Sequence, residues 1–202
     1  MPLWGAAEGS EALPKFLTTA QQQDVFASNA GWVVEAGSAM TGNGNTSADP
    51  EVLVAIGGLM GATGTTGLGE ATIQTINWNI ATADKSAGFT LSATVRYNEA
   101  VTVAVSNPTI SVTNSNAGAG SGRGPHLLTY ASGTGTHELT FTLAIAAANA
   151  ATNALDVLSI AAQSIVLASS STIKDTGSTP TNAELAISSA MGTACGTVTV
   201  VA

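Results

Sequence analysis

The sequence predicts a mainly β protein built around an antiparallel β-sandwich, and three observations carry that prediction. Phe89, Leu91, Ala93, Val95 and Tyr97 alternate with Thr90, Ser92, Thr94 and Arg96, the period-two pattern of a strand with one buried face. About seven or eight short runs of this kind recur at roughly 10–15-residue spacing, separated by turn-forming residues. Ala, Gly, Ser and Thr make up 105 of the 202 residues, with 45% hydrophobic and 9% charged, which is too apolar and too weakly charged for a disordered chain. The length allows one domain, or one domain plus an extension.

Taken in order, the chain opens with an extended, Pro-containing stretch, Met1 to Pro14. A short helix follows over Thr18–Ala27, with Thr18 or Thr19 as its N-cap. Gly31–Val34 and Glu51–Ile56 are β-like runs on either side of the turn-rich GSAMTGNGNTSADP, and they form a possible hairpin. Two strands alone are marginal in water, so this segment needs a partner surface. The glycine-rich GGLMGATGTTGLG has the composition of a flexible linker. The expected organisation is therefore an N-terminal arm (1–56), a linker (57–70) and a sandwich (71–202).

Within the sandwich, Ile76, Trp78 and Ile80 begin the alternation, and Phe89 to Tyr97 form its longest stretch. Val101, Val103 and Val105 continue it, and Pro108 interrupts before Ile110 and Val112. Leu128 and Tyr130, then Leu139, Phe141, Leu143 and Ile145, supply two more strands. A run from Leu155 to Leu167, then Leu185 with Ile187 and Val198 with Val200, complete the set. Phe89, Leu91, Val95, Leu139, Phe141 and Leu143 are expected to face one another in the core. Ala144–Ala154 is rich in alanine but is interrupted by Asn149 and Asn153, and is read as a loop.

Charge narrows the partners. Thirteen acids against five bases give a net charge of -8, and Lys15, Lys85, Arg96, Arg123 and Lys174 form no run or stripe. Nucleic-acid binding rests on phosphate neutralisation by Lys and Arg, so no nucleic-acid partner is expected. An anionic membrane surface is disfavoured for the same reason, and no run of about 20 apolar residues offers a membrane span. The start, MPLWGAAEGSEALPK, has no basic leader or apolar block, so no secretory signal is expected. The single Cys195 cannot form an intrachain disulfide, and in an apolar run it reads as a buried, inert thiol.

The candidate chemistry is sparse. His126 and His137 are the two histidines, and Glu138 is the one obvious ligand near them. Both read as surface polar residues flanking a hairpin, and no metal is expected. GAGSGRG (118–124) lacks the GK[ST] ending and helix of a phosphate loop. No nucleophile-elbow signature accompanies the many serines. No catalytic residue and no cofactor are expected. Trp78 belongs to the core, whereas Trp4 and Trp32 fall in an arm with no evident core of its own, where aromatics serve as interface anchors.

Several ordered blocks resemble a known family. GFTLSATVRYNEAVTV, then Pro108-Thr109-Ile110, then TYASGTGTHELTFTLAIAAAN through STIKDTGSTPTNAELAI are similar to the bacterial Ig-like repeats of large surface proteins. That resemblance covers about residues 71–190 and implies an Ig-like sandwich serving as a displayed structural module. Where such repeats often carry an acidic, calcium-binding loop, this chain has AAANAATNALD with Asp156 alone, so the domain is expected to be indifferent to calcium.

In the arm, MPLWG, Pro14-Lys15-Phe16-Leu17, Asp24-Val25-Phe26-Ala27, Gly31-Trp32-Val33 and Glu51-Val52-Leu53-Val54-Ala55 resemble small virion structural proteins of marine and cyanobacterial tailed phages. This second resemblance implies a non-enzymatic capsid decoration protein at the virion surface. Its arm would dock on the major capsid protein or another virion protein through Trp4, Phe16, Phe26, Trp32, Val52 and Val54. Self-association and binding of host surface glycans by the sandwich are further expectations. The alternatives are a tail or neck component, or a bacterial surface or adhesin module.

Overall fold

The structure, a computed structural model, describes residues 13–14, 16–59, 68, 70–105, 107–116, 124–147, 152–168, 170–177 and 179–202. Thr18 caps one helical turn, α1 (Thr19–Gln22). Its hydroxyl accepts the Gln21 N–H at 3.3 Å, and the Gln21 side chain accepts the Thr18 N–H at 2.9 Å, a reciprocal capping box. The helix is shorter than the Thr18–Ala27 expected. Val25 and Ala27 instead turn inward as alternate residues of β1 (Val25–Ser28), and both are buried. A single turn has too few internal hydrogen bonds to compete with that burial.

β2 (Gly31–Val34) and β3 (Glu51–Ala55) pair antiparallel with Trp32 opposite Val54, the hairpin expected from sequence, and β1 pairs on the other side of β2. Gly31 has φ +121°, and a Cβ there would sit 2.0 Å from the Val54 carbonyl oxygen, so only glycine allows this close pairing. The three strands enclose a small core of Leu17, Val25, Ala27, Trp32, Val34, Val54 and Leu59. The N-terminal segment therefore has an interior that its sequence did not reveal. Of the expected linker, residues 57–59, 68 and 70 are described, and there Leu59 is buried in this core and Leu68 packs against it.

The remainder comprises β4 (Ile73–Trp78), β5 (Thr82–Asp84), β6 (Phe89–Ala104), β7 (Thr109–Asn114), β8 (His126–Ser132), β9 (Thr136–Ile145), β10 (Val157–Ser159), β11 (Gln163–Ser164), β12 (Thr172–Asp175), β13 (Ala186–Ile187), α2 (Ser189–Cys195) and β14 (Thr197–Val201). The protein is mainly β, as the sequence predicted. Nine strands make one large curled sheet in the order β12-β6-β9-β8-β7-β10-β14-β5, with β4 also paired to β6. β11 and β13 form a separate pair. The pairing of β14 with β5 is parallel.

The core follows the alternation. Leu91, Ala93, Val95 and Tyr97 of β6 are fully buried with Leu139 and Phe141 of β9, and Val95 lies opposite Leu139 and Ala93 opposite Phe141. Ile110, Val112, Leu128, Leu158, Val198 and Val200 are among the other residues of this interior, while Phe89 and Leu143 pack at its margin.

Three details differ from expectation. β6 ends at Ala104, and Val105 is 68% exposed with φ +52°, a conformation that stops a strand at a β-branched residue. Leu155 is exposed in a turn, so the buried run begins at Leu158. Finally, α2 was not anticipated. Ser188 caps it, accepting the Met191 N–H at 3.2 Å. Cys195 ends this helix, half-buried, and burial pushes its thiol up to about 11.

Candidate functional site

The small sheet meets the large one at a polar junction centred on Arg96. Arg96 lies on the polar face of β6 and Glu138 is its register partner on β9, so the two side chains are cross-strand neighbours. Arg96 Nε and Nη2 donate to Glu138 Oε1 at 2.9 and 2.6 Å, and Nη1 donates to the Gln23 carbonyl at 3.0 Å. Asp24 lies 3.7 Å and Glu35 3.9 Å from the same guanidinium. One cation of the large sheet thus faces a carbonyl and two carboxylates of the N-terminal segment.

His137 completes the junction. Its Nε2 is 2.9 Å from Glu35 Oε2, and its ring stacks on Phe26 at 3.7 Å between centroids with 8° between planes. The hydrogen bond to His137 holds the Glu35 carboxyl below its ordinary value, the charges of His137 and Arg96 act in the same direction, and partial burial opposes them. Glu35, His137 and Glu138 each offer one ligand atom, and these atoms lie within 4.8 Å of one another. A divalent ion there would compete with a guanidinium already bound to Glu138. The arrangement is better suited to clamping two sheets together than to coordinating a metal. Nearby, a cavity of about 360 Å³ is lined by Gln22, Trp32, Ile73 and Gln74 among others. Gln74 reaches across the junction to donate to the Val25 carbonyl at 2.8 Å.

His126 was expected at the surface. It is instead buried, because it lies two residues from Leu128 on the inward face of β8. Burial lowers its pKa, with Asp156 opposing, and its Nε2 is 3.4 Å from the Thr152 hydroxyl. Asp156, also buried, accepts from Asn114 Nδ2 at 2.8 Å, Asn116 Nδ2 at 2.7 Å and the Asn153 N–H at 2.8 Å. These amide donors satisfy the one carboxylate of the stretch in which related repeats were expected to hold calcium.

The six candidate contact residues separate into distinct environments. Trp32 is 1% exposed and Val54 is buried beside it. Both are core residues of the small sheet, which corrects the reading of Trp32 as an exposed anchor. Phe26 is committed to His137. Phe16 and Val52 are more than half exposed, and Trp4 lies outside the described residues. Val52 belongs to β3, which pairs with β2 on one side and, among the described residues, with no strand on the other. The sequence had set Glu138 beside His137, but it did not mark Arg96 or Glu35 as their partners. No family model, curated protein or solved structure matches this chain.

Proposed function

We propose that this chain is a non-enzymatic structural component of a virion, a capsid decoration protein whose N-terminal sheet docks on the major capsid protein or another virion protein while the large β domain faces outward. The observation that carries this reading is the edge of β3 with which no strand among the described residues pairs, with Val52 exposed on it and Phe16 exposed in the same segment. An unpaired edge offers a row of backbone donors and acceptors to a partner strand, and alternate side chains supply specificity. The segment behind that edge is held rigid by its own core and by the Arg96 junction, so little ordering entropy is lost when it docks. A net charge of -8 favours an outer surface over one facing packaged DNA.

The test is composition and occupancy. Mass spectrometry of purified particles of the virus encoding the chain should find it in high copy, and the purified protein should co-sediment with particles that lack it. Val52→Lys should lower occupancy with no change in melting temperature, because it alters only an exposed edge residue. Absence of the chain from particles, or undiminished binding by Val52→Lys together with Phe16→Ala, refutes the reading.

A further inference from the structure

We propose that Asn43, in the loop between β2 and β3, is a site of spontaneous deamidation, a covalent modification the chain performs on itself with water as the co-reactant. Among the asparagines of the chain, Asn43 alone is followed by glycine. Asn43 and Gly44 are both exposed. A Cβ built on Gly44 would meet nothing within 4 Å, and its φ lies outside the left-handed region, so the turn itself does not require glycine here. What Gly44 supplies is an unobstructed main-chain nitrogen beside a side-chain amide.

The loop presents the reacting atoms together. The Asn45 N–H donates to Asn43 Oδ1 at 3.1 Å, closing a ring of chain that contains both Asn43 Cγ and the Gly44 nitrogen. That donor also faces the oxygen on which negative charge develops when Cγ is attacked. The Gly44 nitrogen, its proton lost to hydroxide, bonds to Cγ. The Cγ–Nδ2 bond breaks, the side-chain nitrogen takes a proton from water and leaves as ammonia, and a five-membered imide closes. Water then opens the imide. Opening at Cγ leaves an aspartyl residue at position 43, and opening at the main-chain carbonyl leaves an isoaspartyl residue, whose side-chain methylene has entered the backbone.

The same loop contains its own contrast. Asn45 is also exposed, and its Oδ1 accepts the Ser47 N–H at 3.0 Å, the same turn two residues on. There the nitrogen that would attack belongs to Thr46, whose β-branched side chain crowds it. Thr46 is also packed where Gly44 is open: a Cβ on Gly37 would lie 3.3 Å from the Thr46 nitrogen and 2.6 Å from its Cγ2. Two asparagines thus share a hydrogen-bond pattern and differ in the attacking residue. Each conversion at Asn43 adds one carboxylate to a chain of net charge -8, in the loop that leads into β3 and its exposed Val52. That segment therefore grows more acidic as the protein ages.

The experiment ages the full, folded chain at pH 8 and at pH 6, then unfolds it, cleaves it after Glu35 and Glu51, and reads residues 36–51 by fragment-ion mass spectrometry. Position 43 should gain one mass unit in a fraction of chains that grows with time, several-fold faster at pH 8 because the attacking nitrogen must first lose its proton. Aged protein, unlike fresh protein, should take up label from an isoaspartyl methyltransferase and its methyl donor. Gly44→Ala places its methyl group in open space, so it should slow the gain several-fold with no change in melting temperature, and Gly44→Val should slow it further. A chain that gains no mass at position 43 overturns the proposal. So do equal gains at Asn43 and Asn45, or a rate unchanged in Gly44→Ala, because the glycine would then play no part.

Discussion

Replacing Arg96 with Met keeps most of the aliphatic stem and removes the guanidinium that joins the two sheets. Arg96 makes three hydrogen bonds within 3.0 Å, two to Glu138 and one to the Gln23 carbonyl. A hydrogen bond to a charged group contributes about 1.5–3 kcal/mol, so three fully buried ones would total roughly 5–9 kcal/mol on the same scale. The side chains of Glu138 and Asp24 are each 37% exposed, and water would solvate them once Arg96 was gone. Discounting by about half for that screening leaves about 2.5–4.5 kcal/mol. The loss should fall mainly on attachment of the N-terminal sheet, since the alternating core of β6 and β9 lies on the opposite face. Urea denaturation followed by fluorescence should show the reduced stability, and limited proteolysis should show earlier cleavage within residues 16–59. A change below about 0.5 kcal/mol, the range of ordinary surface substitutions, would refute the clamp.

Two further outcomes are expected. Phe141→Ala should cost about 3–5 kcal/mol in urea denaturation, as for other buried aromatics, because Phe141 is fully buried and packs edge-on to Tyr130 at 6.0 Å; a cost below about 1 kcal/mol would contradict the packing. His126 has a folded-state pKa below its ordinary value, so its contribution to stability is present above the unfolded pKa of about 6.5 and is lost as pH falls below it toward the folded value. Stability measured from pH 8 down to pH 5 should therefore decline more steeply in the wild type than in His126→Asn, and equal slopes would show that His126 is not buried as a neutral ring.

The large sheet was legible because period-two alternation is a local signal. Leu91 to Tyr97 and Leu139 to Phe141 announce their inward face without reference to anything else. The same signal, carried one step further, places His126 inside, since it shares the parity of Leu128. It also pairs Arg96 with Glu138 once Val95 is set against Leu139. The core of the small sheet was not legible, because Trp32 shares it with Leu17 and Leu59, with Leu68 packed against it, residues from segments with no periodicity to link them. The helix α2 had a signal in Ser188 and Gly196, which bracket it, but seven residues of mixed Ser, Ala, Gly and Thr give weak propensity on their own. Glu99 shows the limit of pattern reading: its Oε1 is buried without a hydrogen-bond partner, and a missing donor is a property of three dimensions.

The parallel pairing of β14 with β5 sets Thr199, Val200 and Val201 beside Thr82, Ala83 and Asp84. During synthesis the chain emerges N-terminal end first, and domains fold as units. That border of the sheet therefore stays open while more than a hundred residues are made, and β10 likewise awaits β14 across its register of Val157 to Ser159. Until β14 is in place those two strands present an unprotected flank, a template for pairing with a neighbouring chain. Removing residues 197–201 should thus leave the edges of β5 and β10 that β14 covers open to another strand.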